Sequence, residues 1–240
     1  MIQLLANPQR FMAFSRWAAP ILGVLAAAFL GAAFWLAFSV PEDYQQGDTV
    51  RLLFLHPQLA TVGMFAYACL AGSAFFGLVF RHSLADAAAR AAAPLGAAFT
   101  FLFLLTGALW GKPMWGTWWV WDARLTSVVV LFLFYLGYIA LRASIDDEAK
   151  AARAAAVLGL VGLVNLPIVK FSVDWFNTLH QPASLLRAGG PSVSGEFLAP
   201  LLVMMAAYGM LFAAVWLTGI RTEVTRRRVM TLRARAAMEA

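Results

Sequence analysis

Six runs of predominantly apolar residues dominate this sequence, and each is close to the ~20 residues that an α-helix needs to cross a lipid bilayer. The chain has 240 residues, of which 62% are hydrophobic and 12% are charged, a composition far from that of a soluble domain. We therefore predict an all-α integral membrane protein, with one polytopic membrane domain over residues 1–240 and six transmembrane helices. The predicted spans lie at about 17–40, 57–80, 93–110, 125–142, 154–171 and 197–219.

The distribution of positive charge predicts the orientation of these spans. The first run follows Arg10 and Arg16 but is much longer than the apolar core of a signal peptide, which has about 7–15 residues, so we interpret it as a retained span. With both termini in the cytoplasm, the cytoplasmic segments hold thirteen of the eighteen Lys and Arg residues, in agreement with the positive-inside rule. The net charge of +6 therefore reflects orientation and gives little support to nucleic-acid binding.

Two further features fit a membrane protein without a disulfide framework. The basic tail at 221–235 is predicted to anchor the last span against anionic lipid, with partner docking as the alternative. The only cysteine, Cys69, lies inside the second run, where a free thiol behaves as a small apolar residue.

Five of the nine tryptophans fall within residues 110–121, between the third and fourth spans. An interfacial aromatic belt explains isolated tryptophans, but it does not require five tryptophans so close together in the chain. A cluster of indole rings suits a flat apolar ligand instead. We predict that the chain after Gly116 forms a short surface helix. Residues spaced i, i+3, i+4, i+7 would then lie on one face of that helix. That face contains Trp115, Trp118, Trp119 and Asp122.

Two of the three histidines, His56 and His180, are predicted to lie on the same outer face as the tryptophans. His56 is predicted to cap the second span, whose first turn Pro57 suits. His82 stands beside Arg81 in an inner loop and is predicted to be structural. Neutral imidazole is the commonest metal ligand, yet a structural zinc site needs about four protein ligands. A porphyrin supplies four nitrogens itself, so two histidines fit the axial positions of haem iron better than bare metal.

Cations on the outer face could contact the two haem propionates, because guanidinium groups bind carboxylates in a bidentate manner. The alternative for each of these residues is that its long side chain only places the charge at the membrane interface and binds no ligand. Arg51 and Arg124 are favoured because they lie closest in sequence to the other candidate residues, and Asp122 is predicted to orient Arg124 or an indole N–H. The outer candidates are Arg51, Lys112, Arg124 and Arg187.

The interiors of the spans contain few ionisable residues. Apart from Asn165 with Pro167, no acidic or histidine relay crosses the predicted membrane region. Ionisable residues at mid-membrane usually mark an ion or proton path. Their absence argues against a pump and against a cytochrome with haems stacked inside the bundle.

Three motifs resemble those of a known family. Residues 115–126, WGTWWVWDARLT, resemble the tryptophan-rich WWD signature of haem-handling proteins in cytochrome c maturation. Residues 51–57, RLLFLHP, and 177–181, NTLHQ, resemble the two histidine motifs of the CcmC family. The similarity to that family extends along nearly the whole chain in length, number of spans and placement of loops.

The resemblance implies a membrane protein that holds haem b on the periplasmic face of the bacterial inner membrane and delivers it to the haem chaperone CcmE. It implies CcmD and the CcmA–CcmB ABC transporter as further partners, and a presenting role rather than an enzymatic one. By matched position, His56 and His180 become the axial iron ligands. The implied haem platform, within a loop at about 110–126, consists of Trp115, Trp118, Trp119, Trp121 and Asp122.

Two alternatives remain open at this point. One is a cytochrome c synthase-type haem lyase, in which the chain itself accelerates attachment of haem to an apocytochrome. The other is a transporter that moves haem across the bilayer. The larger synthase relatives carry additional histidines, whereas this chain has only two outer histidines, so the resemblance favours a presenting protein.

Overall fold

The computed structural model describes residues 7–181, 189–190 and 192–239. Within these residues the secondary structure is helical, apart from an isolated bridge between Asp43 and Gly47. A short 3₁₀ helix, Asp48–Phe54, precedes the second long helix. The α-helices of the described residues are α1 Pro8–Ser39, α2 His56–Phe80, α3 Ser83–Trp115, α4 Ala123–Ser144, α5 Glu148–Gly162, α6 Asn165–Trp175 and α7 Gly195–Glu239.

Six candidate spans in the described chain are long and apolar enough to cross a membrane, which confirms the predicted all-α, six-span architecture. The protein is therefore a multi-pass membrane protein. Most helices are longer than the apolar runs because they continue into charged segments. The longest, α7, has 45 residues and a length of roughly 68 Å, about twice the thickness of a bilayer core.

The fifth span is built from two helices, α5 and α6, separated by a turn at residues 163–164. Pro167 explains this break, because it has no N–H to donate to the carbonyl four residues earlier and its ring crowds that carbonyl. At the break, backbone hydrogen bonds span three residues instead of four: the Leu163 N–H donates to the Leu160 carbonyl and the Val164 N–H to the Val161 carbonyl. The Asn165 side chain donates to the Ser127 carbonyl at 2.8 Å, which joins this region to α4.

The core lies where α2, α3, α4 and α5 pack together, and α1 packs along α7. Three tyrosines, Tyr67, Tyr135 and Tyr138, are fully buried in this core. The Tyr135 hydroxyl donates to the Gly63 carbonyl at 2.7 Å, and the Tyr135 ring lies directly against Gly96 of α3. This contact sets the spacing between α3 and α4. The tryptophan segment, residues 110–121, forms the end of α3 and the connection to α4.

Replacing Gly96 by alanine is expected to destabilise the bundle, because the added Cβ would overlap the Tyr135 ring. Overpacking of this kind costs about 1–3 kcal/mol. We expect a lower thermal unfolding midpoint in detergent than for the wild type. Gly23→Ala in α1 is the matched control, because its added Cβ has no atom within 4 Å. Equal midpoints for the two variants would contradict the assigned contact.

Ion pairs tie the helices together at the end of the bundle opposite the tryptophan segment. Arg142 donates to Asp86 at 2.9 Å, and Arg226 and Arg227 of α7 pair with Glu223, at 2.8 and 2.7 Å. Arg227 also pairs with Asp86 on α3. The first part of the basic tail is thus bound to the bundle itself. Anchoring against lipid stays a prediction for the exposed arginines beyond it, which are Arg228, Arg233 and Arg235.

Candidate functional site

One pocket brings together the start of α2, the second half of α3, the tryptophan segment, the start of α4 and the segment after α6. The enclosed space is small, about 20 Å³, close to what a single water molecule needs. His56, His180 and most of the tryptophan segment contribute to its wall. The lining residues are His56, Phe103, Leu104, Gly107, Trp115, Thr117, Trp118, Trp119, Val120, Asp122, Arg124, Leu125, Val128, Leu179 and His180.

The predicted short helix after Gly116 is wrong. Helix α3 ends at Trp115, and Gly116 adopts a left-handed conformation with φ 76°, in which its N–H donates to the Lys112 carbonyl. The chain then runs without helix to Asp122, because the Thr117 hydroxyl bonds to the backbone of Trp119 and so competes with helical hydrogen bonds.

The tryptophans of this segment nevertheless converge on the pocket from an irregular loop. Trp115, Trp118 and Trp119 line it together with Asp122. Trp118 is 55% exposed, so it stands at the mouth, whereas the Trp119 indole nitrogen is buried and has no hydrogen-bond partner among the described residues. Trp121 is 73% exposed and is not among the lining residues, although its ring lies 5.3 Å from that of Trp119.

His56 is the first residue of α2, and the cap is Leu55, so the prediction that His56 caps this helix is wrong by one position. Its side chain turns to α3 instead, where Nδ1 lies 3.1 Å from the Thr106 hydroxyl. The imidazole ring packs against Phe103, at 4.5 Å between ring centroids, and against Trp110 at 5.6 Å. His56 therefore lies in a mostly apolar wall, with the Thr106 hydroxyl and the Phe103 backbone carbonyl as its polar partners.

His180 lies in the segment after α6, in more polar surroundings. Its Nδ1 lies 3.4 Å from Asp122 Oδ2, and its ring lies edge-on to Trp115 at 4.8 Å. Its backbone N–H donates to the Thr178 hydroxyl at 3.1 Å. Burial lowers the pKa of His180; the Asp122 carboxylate partly offsets this shift and the Arg124 guanidinium adds to it. The imidazole is therefore neutral at pH 7, the form that binds metals.

Asp122 has two roles in the structure. Oδ1 accepts from the Leu125 N–H at 2.8 Å and so caps the start of α4, while Oδ2 faces His180. The sequence predicted that this carboxylate would orient Arg124 or an indole N–H, but its hydrogen bonds go to the backbone and to the histidine. His82, by contrast, is structural as predicted: its Nδ1 accepts from the Ala85 N–H at the start of α3.

The two favoured cations occupy different places. Arg124 lines the pocket and donates to the Ser172 hydroxyl at 3.2 Å and to the Lys170 carbonyl at 3.4 Å. Arg51 is not among the lining residues, because its guanidinium donates to the carbonyls of Ala37 and Val40, near the end of α1, and pairs with Asp48.

The other two candidate cations are Lys112 and Arg187, and Lys112 is not among the residues that line the pocket in the described part of the chain. Lys112 donates to the Gly116 carbonyl at 3.1 Å and lies 5.9 Å from the centre of the Trp118 ring. Arg187 lies outside the described residues.

Several residues of the site were not predicted from the sequence. Thr106 and Gly107, two consecutive residues of α3, contact His56, and a Cβ added at Gly107 would lie 2.9 Å from His56 Cε1. Phe103 and Leu179 complete the apolar wall. Glycine and threonine are common in membrane helices, where they allow close packing, so neither residue type indicates a site without the structure.

The arrangement offers two histidine side chains whose Nδ1 atoms face oxygen partners. In the described part of the chain, no group of three or more His, Cys, Asp or Glu residues is placed to hold a metal ion. Two histidines suit a metal ion whose remaining ligands come from a bound organic group. The wall around them is largely aromatic.

Comparison with known proteins gives consistent matches. A family model described as "Heme exporter protein C" (CcmC) matches residues 1–235. A protein of that name from Bradyrhizobium diazoefficiens is 55% identical over 228 residues, which cover 95% of this chain and 87% of the relative. One from Escherichia coli K12 is 44% identical over 218 residues, which cover 90% of this chain and 87% of the relative. One from Paracoccus denitrificans is 43% identical over 231 residues, covering 96% of each.

Proposed function

The chain belongs to the CcmC family, and from this premise we propose that it binds haem b at the pocket described above and presents it during cytochrome c maturation. The observation that carries the proposal is the placement of His56 and His180 in the wall of one pocket. Each histidine has its Nδ1 atom beside an oxygen, so Nε2 is the nitrogen proposed to bind iron. The porphyrin contributes the other four iron ligands, so two histidines complete the set.

The aromatic wall fits the rest of the macrocycle. Trp115, Trp118 and Trp119 offer apolar ring surface, and each aromatic contact adds about 0.5–1.5 kcal/mol beyond area burial. The enclosed space of about 20 Å³ is too small for a macrocycle. Binding therefore requires that side chains at the mouth move, which the exposure of Trp115 (37%) and Trp118 (55%) favours. Trp121, on the outer surface beside Trp119, is proposed to extend this platform.

Arg124 is the proposed propionate partner in the pocket wall, because two of its donors are held by Ser172 and Lys170 and the guanidinium is thereby positioned. Arg51 stays a predicted propionate contact. Its described hydrogen bonds to the end of α1 favour a structural role instead.

Arg124→Gln is expected to weaken haem binding by roughly tenfold or more, because a hydrogen bond to a charged group contributes about 1.5–3 kcal/mol. Arg51→Gln is the matched control and is expected to change affinity less than threefold. The readout is a haem titration of the purified haem-free protein, repeated with the propionate diester of haem. The diester should bind wild type and Arg124→Gln equally. A larger loss in Arg51→Gln than in Arg124→Gln would reverse the assignment.

The proposed setting follows from the family and the charge distribution. The protein is proposed to act as one polytopic domain in the bacterial inner membrane, with both termini cytoplasmic and the haem site on the periplasmic side. CcmE is the proposed acceptor, with CcmD and CcmA–CcmB as companions. We propose no enzymatic step for this chain: it supplies position and electrostatics, and the haem supplies the reactive groups.

The word "exporter" in the relatives' name favours a second function, the transfer of haem across the bilayer. A three-arm experiment separates the alternatives. Haem-loaded protein in detergent is mixed with the soluble domain of CcmE; haem-loaded protein is mixed with an apocytochrome peptide; and protein in liposomes is tested for haem passing the bilayer. A presenting protein gives transfer in the first arm alone. Covalent attachment to the peptide would indicate a lyase, and passage through liposomes would indicate a transporter.

A further inference from the structure

The two proposed iron ligands have different partners behind them. His56 faces a neutral hydroxyl, that of Thr106, at 3.1 Å. His180 faces a carboxylate, that of Asp122, at 3.4 Å. Because the atom opposite each contact is the one available to iron, these partners act on the metal through the imidazole rings.

Thr106 is placed to accept a hydrogen bond from His56. The single hydroxyl proton of Thr106 is directed at its own helix, toward the carbonyls of Leu102 at 2.8 Å and Phe103 at 3.2 Å. The Thr106 oxygen is thus left to accept from His56 Nδ1–H, which places the lone pair on Nε2. Phe103, Trp110 and Gly107 also contact this ring and carry no charge. The Phe103 backbone carbonyl is a second acceptor for the imidazole, and the Arg124 guanidinium acts on it electrostatically from a greater distance.

Asp122 also accepts from its histidine, but it brings a negative charge. Its Oδ1 is fixed by the Leu125 N–H at 2.8 Å, so the carboxylate is held in one orientation by the start of α4. The carboxylate side chain is 6% exposed and the His180 side chain 15%, so water screens the contact little. A carboxylate behind a metal-binding histidine fixes the tautomer and raises the basicity of the ligand.

Resting on the proposed haem binding, we infer that the two ligands are unequal. Asp122 is the positioning residue that makes His180 the stronger electron donor to iron, and Thr106 is the positioning residue that holds His56 as a neutral, weaker ligand. The stronger donor favours the ferric state, so Asp122 lowers the reduction potential of the bound haem and Thr106 affects it little.

The test uses matched variants of the full-length protein. Asp122→Asn removes the charge but keeps a side chain that caps helices well, so α4 retains its start. Thr106→Val removes the hydroxyl at nearly constant volume, and Thr106→Ser restores it. The first readout is the reduction potential of the bound haem. The second, on haem-free protein, is the ¹⁵N NMR spectrum of the imidazole nitrogens, which three histidines keep simple to assign.

We expect Asp122→Asn to raise the ferrous-to-ferric ratio at a fixed potential by about tenfold, a shift of about 59 mV for one electron. Thr106→Val should change this ratio less than threefold, and Thr106→Ser should match the wild type. In haem-free wild type, both outer histidines should be protonated at Nδ1, and each variant should lose that preference only at its own histidine.

Equal potentials for wild type and Asp122→Asn, or equal shifts in Asp122→Asn and Thr106→Val, would overturn the inference while leaving haem binding intact. A wild type that binds no haem would instead overturn the proposed function. In that case the NMR spectrum alone decides whether Asp122 and Thr106 set the two tautomers, and protonation at Nε2 would refute it.

Discussion

Replacing both His56 and His180 by alanine is expected to reduce haem affinity by at least ~100-fold. Outer partners of metal-binding histidines alone account for 10–100-fold in affinity, and loss of the ligands themselves removes both axial bonds. Each single variant should retain haem in a five-coordinate form with a shifted Soret band. The measurement is the haem content of protein purified from the same cells, together with a haem titration of the haem-free protein.

The matched control is His82→Ala, because His82 caps α3 and lies among neither the pocket residues nor their partners. It is expected to keep full haem content. Added imidazole should restore part of the six-coordinate spectrum in His180→Ala, since a small ligand can occupy the space left by the side chain. Full haem content in the double variant would show that the iron ligands lie elsewhere in the protein.

Gly107→Leu is expected to lower haem affinity by about tenfold or more without unfolding the protein. A Cβ at position 107 would lie 2.9 Å from His56 Cε1 and 3.6 Å from Nδ1, so the imidazole must move away from Thr106. Overpacking costs about 1–3 kcal/mol, and a leucine, with three more carbons, lies at the upper end of that range. Iron ligation depends on the position of this ring, so the change reaches the haem through His56.

Gly72→Leu in α2 is the matched control. It lies on the helix that carries His56, and a Cβ there has no atom within 4 Å. Gly107→Leu should have a lower unfolding midpoint in detergent than Gly72→Leu but remain folded at the assay temperature, and only Gly107→Leu should lose haem affinity and broaden the low-spin spectrum. Equal affinities for the two variants would mean that the Gly107–His56 contact does not position the iron ligand.

The spans could be predicted from the sequence because membrane helices are specified locally. A run of about twenty apolar residues must satisfy its own backbone hydrogen bonds in lipid, and an α-helix does so. All six runs accordingly became candidate spans. The break at residues 163–164 also has a local cause in Pro167, although the sequence alone did not predict that the span would be divided there.

The tryptophan segment shows where local reasoning fails. Helical spacing grouped Trp115, Trp118, Trp119 and Asp122 correctly as neighbours, but the helix itself does not form, because Gly116 ends α3 in a left-handed conformation. Backbone hydrogen bonds from the Thr117 side chain then stabilise an irregular loop. The spacing therefore identified residues that do lie together, but an irregular loop and not a helix brings them to the pocket.

The partners of the histidines were beyond the reach of one sequence. His56 and Thr106 are separated by 50 positions, and His180 and Asp122 by 58. Which residues meet across two helices depends on their relative rotation and height, which are set by contacts such as Tyr135 against Gly96. The roles of Thr106 and Gly107 in particular emerge only from that packing.

An optical spectrum of the wild-type protein purified in mild detergent, together with its haem content per chain, tests the bis-histidine haem site most directly. We expect about one haem per chain and a six-coordinate, low-spin spectrum, as two histidine ligands give. Haem-free protein that acquires only a five-coordinate, high-spin spectrum when titrated with haem, no different from haem in detergent alone, would contradict a bis-histidine site formed by His56 and His180.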